Sequence, residues 1–259
     1  MIETVKSADG TTIAYERSGD GPALIIVGGA FSNRHGAGEL IPLLAAHFSV
    51  YAYDRRGRSN SGDTMPYAVE REIEDLRALV AAAGDSARMY GHSSGGVLAL
   101  EAAAGGVPIT RLAVYEPPYM VDDTRQKPPA DFAARVQAAV DSGHPDEAAE
   151  TFLSEAIELP AEVVSMIKQS PNWSGMVDVA HTLPYDIALV GDGSMPVERL
   201  ARIAVPALAM DGGASPEWAR NAVAAVTAGI PGATRVTVEG QEHAAAADVI
   251  APLLIDFLL

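Results

Sequence analysis

Residues Ala23-Leu24-Ile25-Ile26-Val27 form an unbroken apolar run closed by Gly28-Gly29, the pattern of a strand buried on both faces. Ahead of it, residues 2–7 and 12–17 predict two strands joined at Asp9-Gly10, a hairpin signal. Behind it the period alternates. A helix is expected over 37–47 and a strand from Ser49 to Tyr53, ending at Asp54. A helix over 66–83 carries acidic residues early and Leu76, Leu79 and Val80 on one side. A short strand, Ala87 to Tyr90, leads into Gly91-His92-Ser93-Ser94-Gly95-Gly96 and a helix through Ala104. The strand Arg111 to Tyr115 is then stopped by Pro117-Pro118.

From 119 to 198 the strand pattern disappears. Helical stretches at 130–141, 146–157 and 161–168 are punctuated by Pro128-Pro129, Pro145, Pro160, Pro171 and Pro184. Alternation resumes with Pro206 to Met210, a helix from Pro216, the strand Thr234 to Val238, a loop carrying His243 and a terminal helix. The fold class this predicts is α/β, a mostly parallel, doubly wound sheet. Residues 1–118 and 199–259 form its core, and a helical cap, 119–198, is inserted after the strand that ends at Glu116. Such a cap would lie over the carboxyl edge of the sheet, where sheets of this kind bind ligands.

Composition narrows the chemistry. Among 259 residues there is no cysteine, which excludes a disulfide framework, thiolate metal sites and a thiol nucleophile. Lys and Arg number 18 against 34 Asp and Glu, a net charge of −16, so a phosphate backbone would be repelled and no nucleic-acid partner is expected. No basic leader with an apolar stretch opens the chain, and no apolar run reaches the ~18 residues of a membrane helix. A cytoplasmic location, no membrane association and a small-molecule substrate are the expectations. The histidines show no metal-ligand spacing such as H-E-x-x-H, so neither metal nor cofactor is expected.

Gly91-His92-Ser93-Ser94-Gly95 matches G-x-S-x-G between a strand and a helix. A nucleophile on so sharp a turn has a strained backbone, and small neighbours let strand and helix approach closely. The turn would raise the Ser93 oxygen above the sheet and leave the N–H of Ser94 pointing at a developing oxyanion. His92 belongs to the same turn and is expected to pack beside the nucleophile rather than to act.

With its hairpin start, the strand ending Val27-Gly28-Gly29, the stretch Tyr53-Asp54-Arg55-Arg56-Gly57-Arg58-Ser59, the Ser93 turn and the late His243, the chain resembles the α/β-hydrolase fold superfamily over essentially its whole length. The Asp54–Ser59 stretch is expected to be structural, its side chains tying the sheet edge down. The resemblance implies that His243, in Glu239-Gly240-Gln241-Glu242-His243, takes the Ser93 proton as general base. It places the oxyanion donors at the N–H groups of Ala30 and Ser94. Gly28 stands where many members carry histidine, which removes a side chain that pins this loop, so Phe31 or a shifted loop is expected to alter that half of the hole.

The third member of such a triad usually lies three residues past a glycine in the later strand-end loop. Counting from Gly212 gives Ser215, which reads as a helix N-cap before Pro216. Glu116 is the favoured replacement and Asp211 the runner-up, with no orienting acid as the third possibility. Of the remaining histidines, His35 and His181 are candidate pocket residues, and His47 and His144 read as surface positions. Phe31 is a candidate substrate-binding residue, and Trp173, Met166, Met176 and Tyr185 would either line an apolar pocket over Ser93 or form the insert's own core.

The leading functional expectation is a serine hydrolase of a small carboxylic ester, thioester or lactone, acting through a Ser93 acyl-enzyme. A lyase, cyclase or cofactor-free haloperoxidase-like enzyme of the same fold is the second expectation, and a non-catalytic ligand-binding member the third.

Overall fold

The computed structural model describes all residues, 1–259. Eight strands form one sheet in the order β1-β2-β4-β3-β5-β6-β7-β8: β1 Ile2–Lys6, β2 Thr12–Ser18, β3 Ala23–Val27, β4 Ser49–Tyr53, β5 Ala87–His92, β6 Ile109–Tyr115, β7 Ala207–Gly212 and β8 Thr234–Val238. The hairpin β1–β2 is antiparallel and joins β4 antiparallel, while every pair from β4 through β8 is parallel. The chain moves from β3 to β4 on one side and then to β5 on the other, so β3 and β5 flank the topological switch point, where such sheets build their sites.

Strand alternation sorts the core into two layers. Ile25, Val27, Met89, Leu112, Val114 and Ala209 face a cluster that includes Leu76 and Leu79 of α2 (Val69–Ala82) and Val97–Leu100 of α3 (Ser94–Ala104). Leu24, Ile26, Tyr90, Tyr115 and Met210 face the opposite cluster, built on α1 (Leu40–Ala45) and the C-terminal helix Ala247–Leu258. No helix is long and apolar enough to cross a membrane.

Between β6 and β7 the chain is helical: α4 Phe132–Asp141, α5 Pro145–Thr151, α6 Ala161–Lys168, α7 Trp173–Val179, α8 Leu183–Val190 and α9 Val197–Leu200. Helices α10 (Glu217–Gly229) and α11 (Ala247–Leu258) complete the core. Two local expectations change. The helix expected over 146–157 is α5 followed by a π-helical turn, Phe152–Ala156. The helix expected over 37–47 starts only at Leu40, because residues 33–38 close successive turns, with Gly36 N–H donating to Asn33 O and Gly38, at φ 47°, donating to His35 O.

Candidate active site

Three segments meet above the carboxyl ends of β3 and β5. Ser93 adopts φ 56°, ψ −129° at the start of α3, and its hydroxyl caps no backbone N–H of that helix. The two glycines of the motif answer to sterics at this turn. A Cβ on Gly91 would lie 2.5 Å from Gly95 O, and one on Gly95 would lie 2.2 Å from Val27 O. The loop after β3 comes equally close, since a Cβ on Gly29 would sit 2.9 Å from Ser93 Cβ. That approach carries Ala30 and Phe31 to the edge of the turn. The backbone N–H groups of Ala30 and Ser94 donate to no carbonyl within the protein.

His243 lies on the loop after β8, its side chain 45% exposed. Its Nδ1 meets Glu116 Oε2 at 2.6 Å. Glu116 follows β6, is buried, and accepts a second hydrogen bond at Oε1 from Gly212 N–H at 2.9 Å. Burial alone would push its carboxyl up, but the bonds from His243 and Gly212 outweigh it and hold the group below its ordinary value. A carboxylate at this separation fixes the ring's tautomer, with Nδ1 protonated and Nε2 left as the proton acceptor.

Asp211 takes a different partner. Pleat alternation turns it to the same face as Ala209, and its Oδ2 pairs with Arg235 of β8. Of the two carboxylates that the sequence offers, the structure brings Glu116 to the histidine. Ser215 is buried, with its hydroxyl packed beside Gly212.

Backbone strain concentrates here. Three of the six non-glycine residues with positive φ are Phe31 (60°), Ser93 (56°) and Glu116 (45°). Each such conformation costs about 1–3 kcal/mol and persists only where surrounding contacts over-determine it.

The loop after β3 is not left loose by the glycine at 28. Ser32 occupies the space that a side chain there would need, since a Cβ on Gly28 would lie 2.4 Å from Ser32 Oγ. Arg58 supplies the anchor: its Nη1 donates to Gly29 O at 2.6 Å and to Ser32 O at 3.0 Å. Asp54 accepts from the Arg34 backbone N–H at 2.8 Å and pairs with the Arg34 guanidinium at 2.5 Å. The Asp54–Ser59 stretch therefore holds this loop and the insert, and it also ties the edge hairpin, through Arg56 to Asp9 at 3.0 Å and Asp54 N–H to Ala14 O at 2.9 Å.

The insert is fastened through Asp186 of α8. Its carboxylate accepts from Arg55 at 2.6 Å, Arg58 at 2.6 Å and the Ser94 hydroxyl at 2.8 Å, all buried. Arg55 also grips Glu72 of α2 through two bonds. Burial would push the Asp186 carboxyl up, yet the two guanidinium groups hold it below its ordinary value. Losing one partner of such a buried cluster typically costs about 3–5 kcal/mol. Sequence reading missed Asp186; its signal is a lone acid in the otherwise apolar Leu183-Pro-Tyr-Asp-Ile-Ala-Leu-Val stretch, on the stripe of Leu183 and Leu189.

The remaining candidates divide. Phe31 packs edge-on against Phe152, centroids 5.6 Å apart, and joins Ala30 and Trp173 around the cluster of Phe132, Val136 and Leu183. Met176 is half-buried on α7 and Met166 is 63% exposed. Tyr185 stacks on Tyr67 at 4.1 Å and donates to Asp63, both on the loop after β4. His181 is exposed and donates to Gly57 O at 2.7 Å, and His35 is exposed. A cavity of about 240 Å³ lies on the far side of Gly28-Gly29, among Ile26, Leu40, Tyr90, His92 and Ile250.

Comparison with known proteins places these features in context. Residues 24–252 match the profile of the alpha/beta hydrolase family. An alpha/beta hydrolase from Sphaerobacter thermophilus is 52% identical, with 99% of this chain and all of that one aligned at a TM-score of 0.96. The N-formylmaleamate deformylase of Pseudomonas putida is 39% identical over 117 residues, which are 43% of this chain and 44% of that protein. The chain thus matches less than half the length of that curated relative. An enol-lactonase from Burkholderia xenovorans shares the fold at a TM-score of 0.74 and 21% identity, over 98% of this chain and 99% of that one.

Proposed function

Because the chain belongs to the alpha/beta hydrolase family, we propose that it is a serine hydrolase that opens a small carboxylic ester, thioester or lactone through an acyl-enzyme on Ser93. The observation that carries this reading is the 2.6 Å contact between Glu116 Oε2 and His243 Nδ1, formed beside a strained serine turn. In the proposed reaction Ser93 Oγ attacks the acyl carbon while its proton passes to His243 Nε2. Glu116 stabilises the imidazolium that results, and the N–H groups of Ala30 and Ser94 receive the oxyanion. His243 then returns the proton to the leaving oxygen or sulfur. Water, deprotonated by the same ring, attacks the acyl carbon, releases the acid and regenerates Ser93.

The wall on the insert side supports a compact, apolar acyl group, since Phe31, Phe152 and Trp173 gather next to Ala30. Glu116 also supplies the carboxylate that position 215 lacks, which supports the hydrolytic reading.

The partial likeness to the Pseudomonas putida deformylase favours a second reading, in which the acyl group is carried by nitrogen and cleaved by the same machinery. Fluorophosphonate treatment followed by mass spectrometry is expected to place one adduct on Ser93, absent from Ser93→Ala. Hydrolysis of p-nitrophenyl butyrate should be lost in both Ser93→Ala and His243→Ala. An unlabelled Ser93 refutes the reading, and faster turnover of N-acyl amides than of matched esters selects the second one.

A further inference from the structure

We propose that Arg58, held by Asp186 of the insert, orients and polarises the Gly29–Ala30 peptide and is thereby a positioning residue for the oxyanion hole; the proposal rests on the serine-hydrolase reading above. The carbonyl of Gly29 and the N–H of Ala30 belong to one planar peptide unit, conjugated across its C–N bond. A guanidinium donating to that carbonyl at 2.6 Å draws electron density toward the oxygen. It makes the opposite N–H a stronger donor, the cooperative effect of chained hydrogen bonds in a low-dielectric interior. It also fixes the plane of the peptide, and so the direction in which the Ala30 N–H points.

Arg58 is held in place because three more of its five N–H donors are committed. Nη1 also reaches Ser32 O at 3.0 Å, Nε donates to Thr182 Oγ1 at 3.0 Å, and Nη2 donates to Asp186 Oδ2 at 2.6 Å. Its side chain is 1% exposed. Two of those partners, Thr182 and Asp186, come from the insert. Asp186 reaches the other half of the hole as well, because its Oδ1 accepts from the hydroxyl of Ser94, whose backbone N–H is the second donor. One carboxylate on the insert therefore sets both donors, one through an arginine and one directly. The negative charge this brings near a developing oxyanion is neutralised by Arg55 and Arg58 together. On this account the oxyanion hole has full strength only when α8 is seated on the core.

Arg58→Lys keeps the charge but cannot serve Gly29, Thr182 and Asp186 together. It is expected to lower kcat for a p-nitrophenyl ester at least about tenfold, part of the 10²–10³ that removal of a whole donor costs, with KM unchanged. Affinity for a trifluoromethyl ketone, which forms a Ser93 hemiketal oxyanion, should fall by the same factor, and affinity for the product acid should not. Thr182→Val, nearly isosteric and away from the reacting atoms, keeps the test open if Arg58→Lys does not fold. It should show the same pattern at about threefold, a fraction of what the guanidinium–hydroxyl bond itself contributes, because Arg58 keeps its other partners. A folded variant with wild-type kcat and wild-type ketone affinity, or one altered only in KM, overturns the proposal. Wild-type protein that takes no fluorophosphonate adduct overturns the serine-hydrolase reading and this proposal with it, whereas labelled wild-type protein beside unaffected variants overturns this proposal alone.

Discussion

The His92 ring lies against that of His243, centroids 4.6 Å apart, and donates from Nε2 to the carbonyl oxygen of His243 at 2.9 Å. Tyr115 grips the neighbouring peptide, its hydroxyl donating to Glu242 O at 2.8 Å. The histidine that sequence reading set aside as packing thus holds the backbone of the proposed base. Burial, then the nearby His243, push His92 from 6.5 down to about 4. Between those values the unfolded chain binds a proton here that the folded chain does not, so stability rises with pH across that window and falls on acidification. Thermal unfolding followed from pH 6.5 to 4.5 should show the fall, and His92→Gln, which keeps a donor, should flatten it. Parallel profiles for the two proteins would refute the assignment.

Glu116→Gln preserves size but not the charge proposed to stabilise the imidazolium. Its kcat is expected to drop by roughly 10⁴, the loss typical of a triad acid. Asp211→Asn should leave kcat within about threefold and cost only stability, about 1–3 kcal/mol, through its lost bond to Arg235. Steady-state kinetics and chemical denaturation of the two variants separate these outcomes. Equal kinetic losses would mean that both carboxylates serve the histidine.

Gly29→Ala and Gly95→Ala test the close approach of the two loops. At Gly29 the new methyl would press on Ser93 Cβ at 2.9 Å and His92 O at 3.0 Å. A small shift relieves that crowding, at about 1–3 kcal/mol, but displaces the proposed oxyanion donor. A folded protein with severely reduced kcat is expected. At Gly95 the methyl would meet two backbone oxygens, Val27 O at 2.2 Å and Gly28 O at 2.6 Å, and loss of the folded protein is expected by circular dichroism. Wild-type kcat in Gly29→Ala would contradict the placement of Ala30 in the hole.

Trp173→Ala removes an aromatic wall beside Phe31. If that wall binds the acyl group, KM for apolar esters should rise about tenfold or more, the worth of an aromatic side chain's burial, with a smaller effect on kcat. Met166→Ala, at an exposed position, should change neither. Kinetics over acetyl, butyryl and phenylacetyl esters would read the difference, and an unchanged chain-length profile in Trp173→Ala would exclude this wall from the pocket.

The elements legible in the sequence were those whose signal is local. Ala23–Val27 declares a two-sided strand by composition alone, and Ser93 stands in a local G-x-S-x-G pattern, of whose glycines Gly91 answers to a clash within the turn and Gly95 to the loop after β3. Glu116 was legible only as a carboxylate at a strand end, because its contact with His243 spans 127 residues and depends on how far β6 runs beside β7. Asp186 was not legible at all. Its partners Arg55, Arg58 and Ser94 lie 131, 128 and 92 residues away, and nothing local distinguishes it from a solvated acid except the apolar residues around it. The surroundings of the pocket candidates were illegible for a related reason. Helical period told which residues of the insert were apolar, but Tyr185 and His181 were claimed by the loop after β4, a contact that only tertiary packing decides.

The ion cluster beneath α8 bears on how this protein could be re-engineered. Caps are attractive units to exchange between homologous scaffolds, since they shape the substrate chamber and enter the chain at one point. Here a graft replacing 119–198 by a segment without a carboxylate at position 186 would strand the guanidinium groups of Arg55 and Arg58 in the interior, with Glu72 as the only remaining counter-ion for both. Any chimera built on this core must therefore transplant that acid along with the new cap, or replace both arginines with apolar residues and find another anchor for the Gly29 carbonyl.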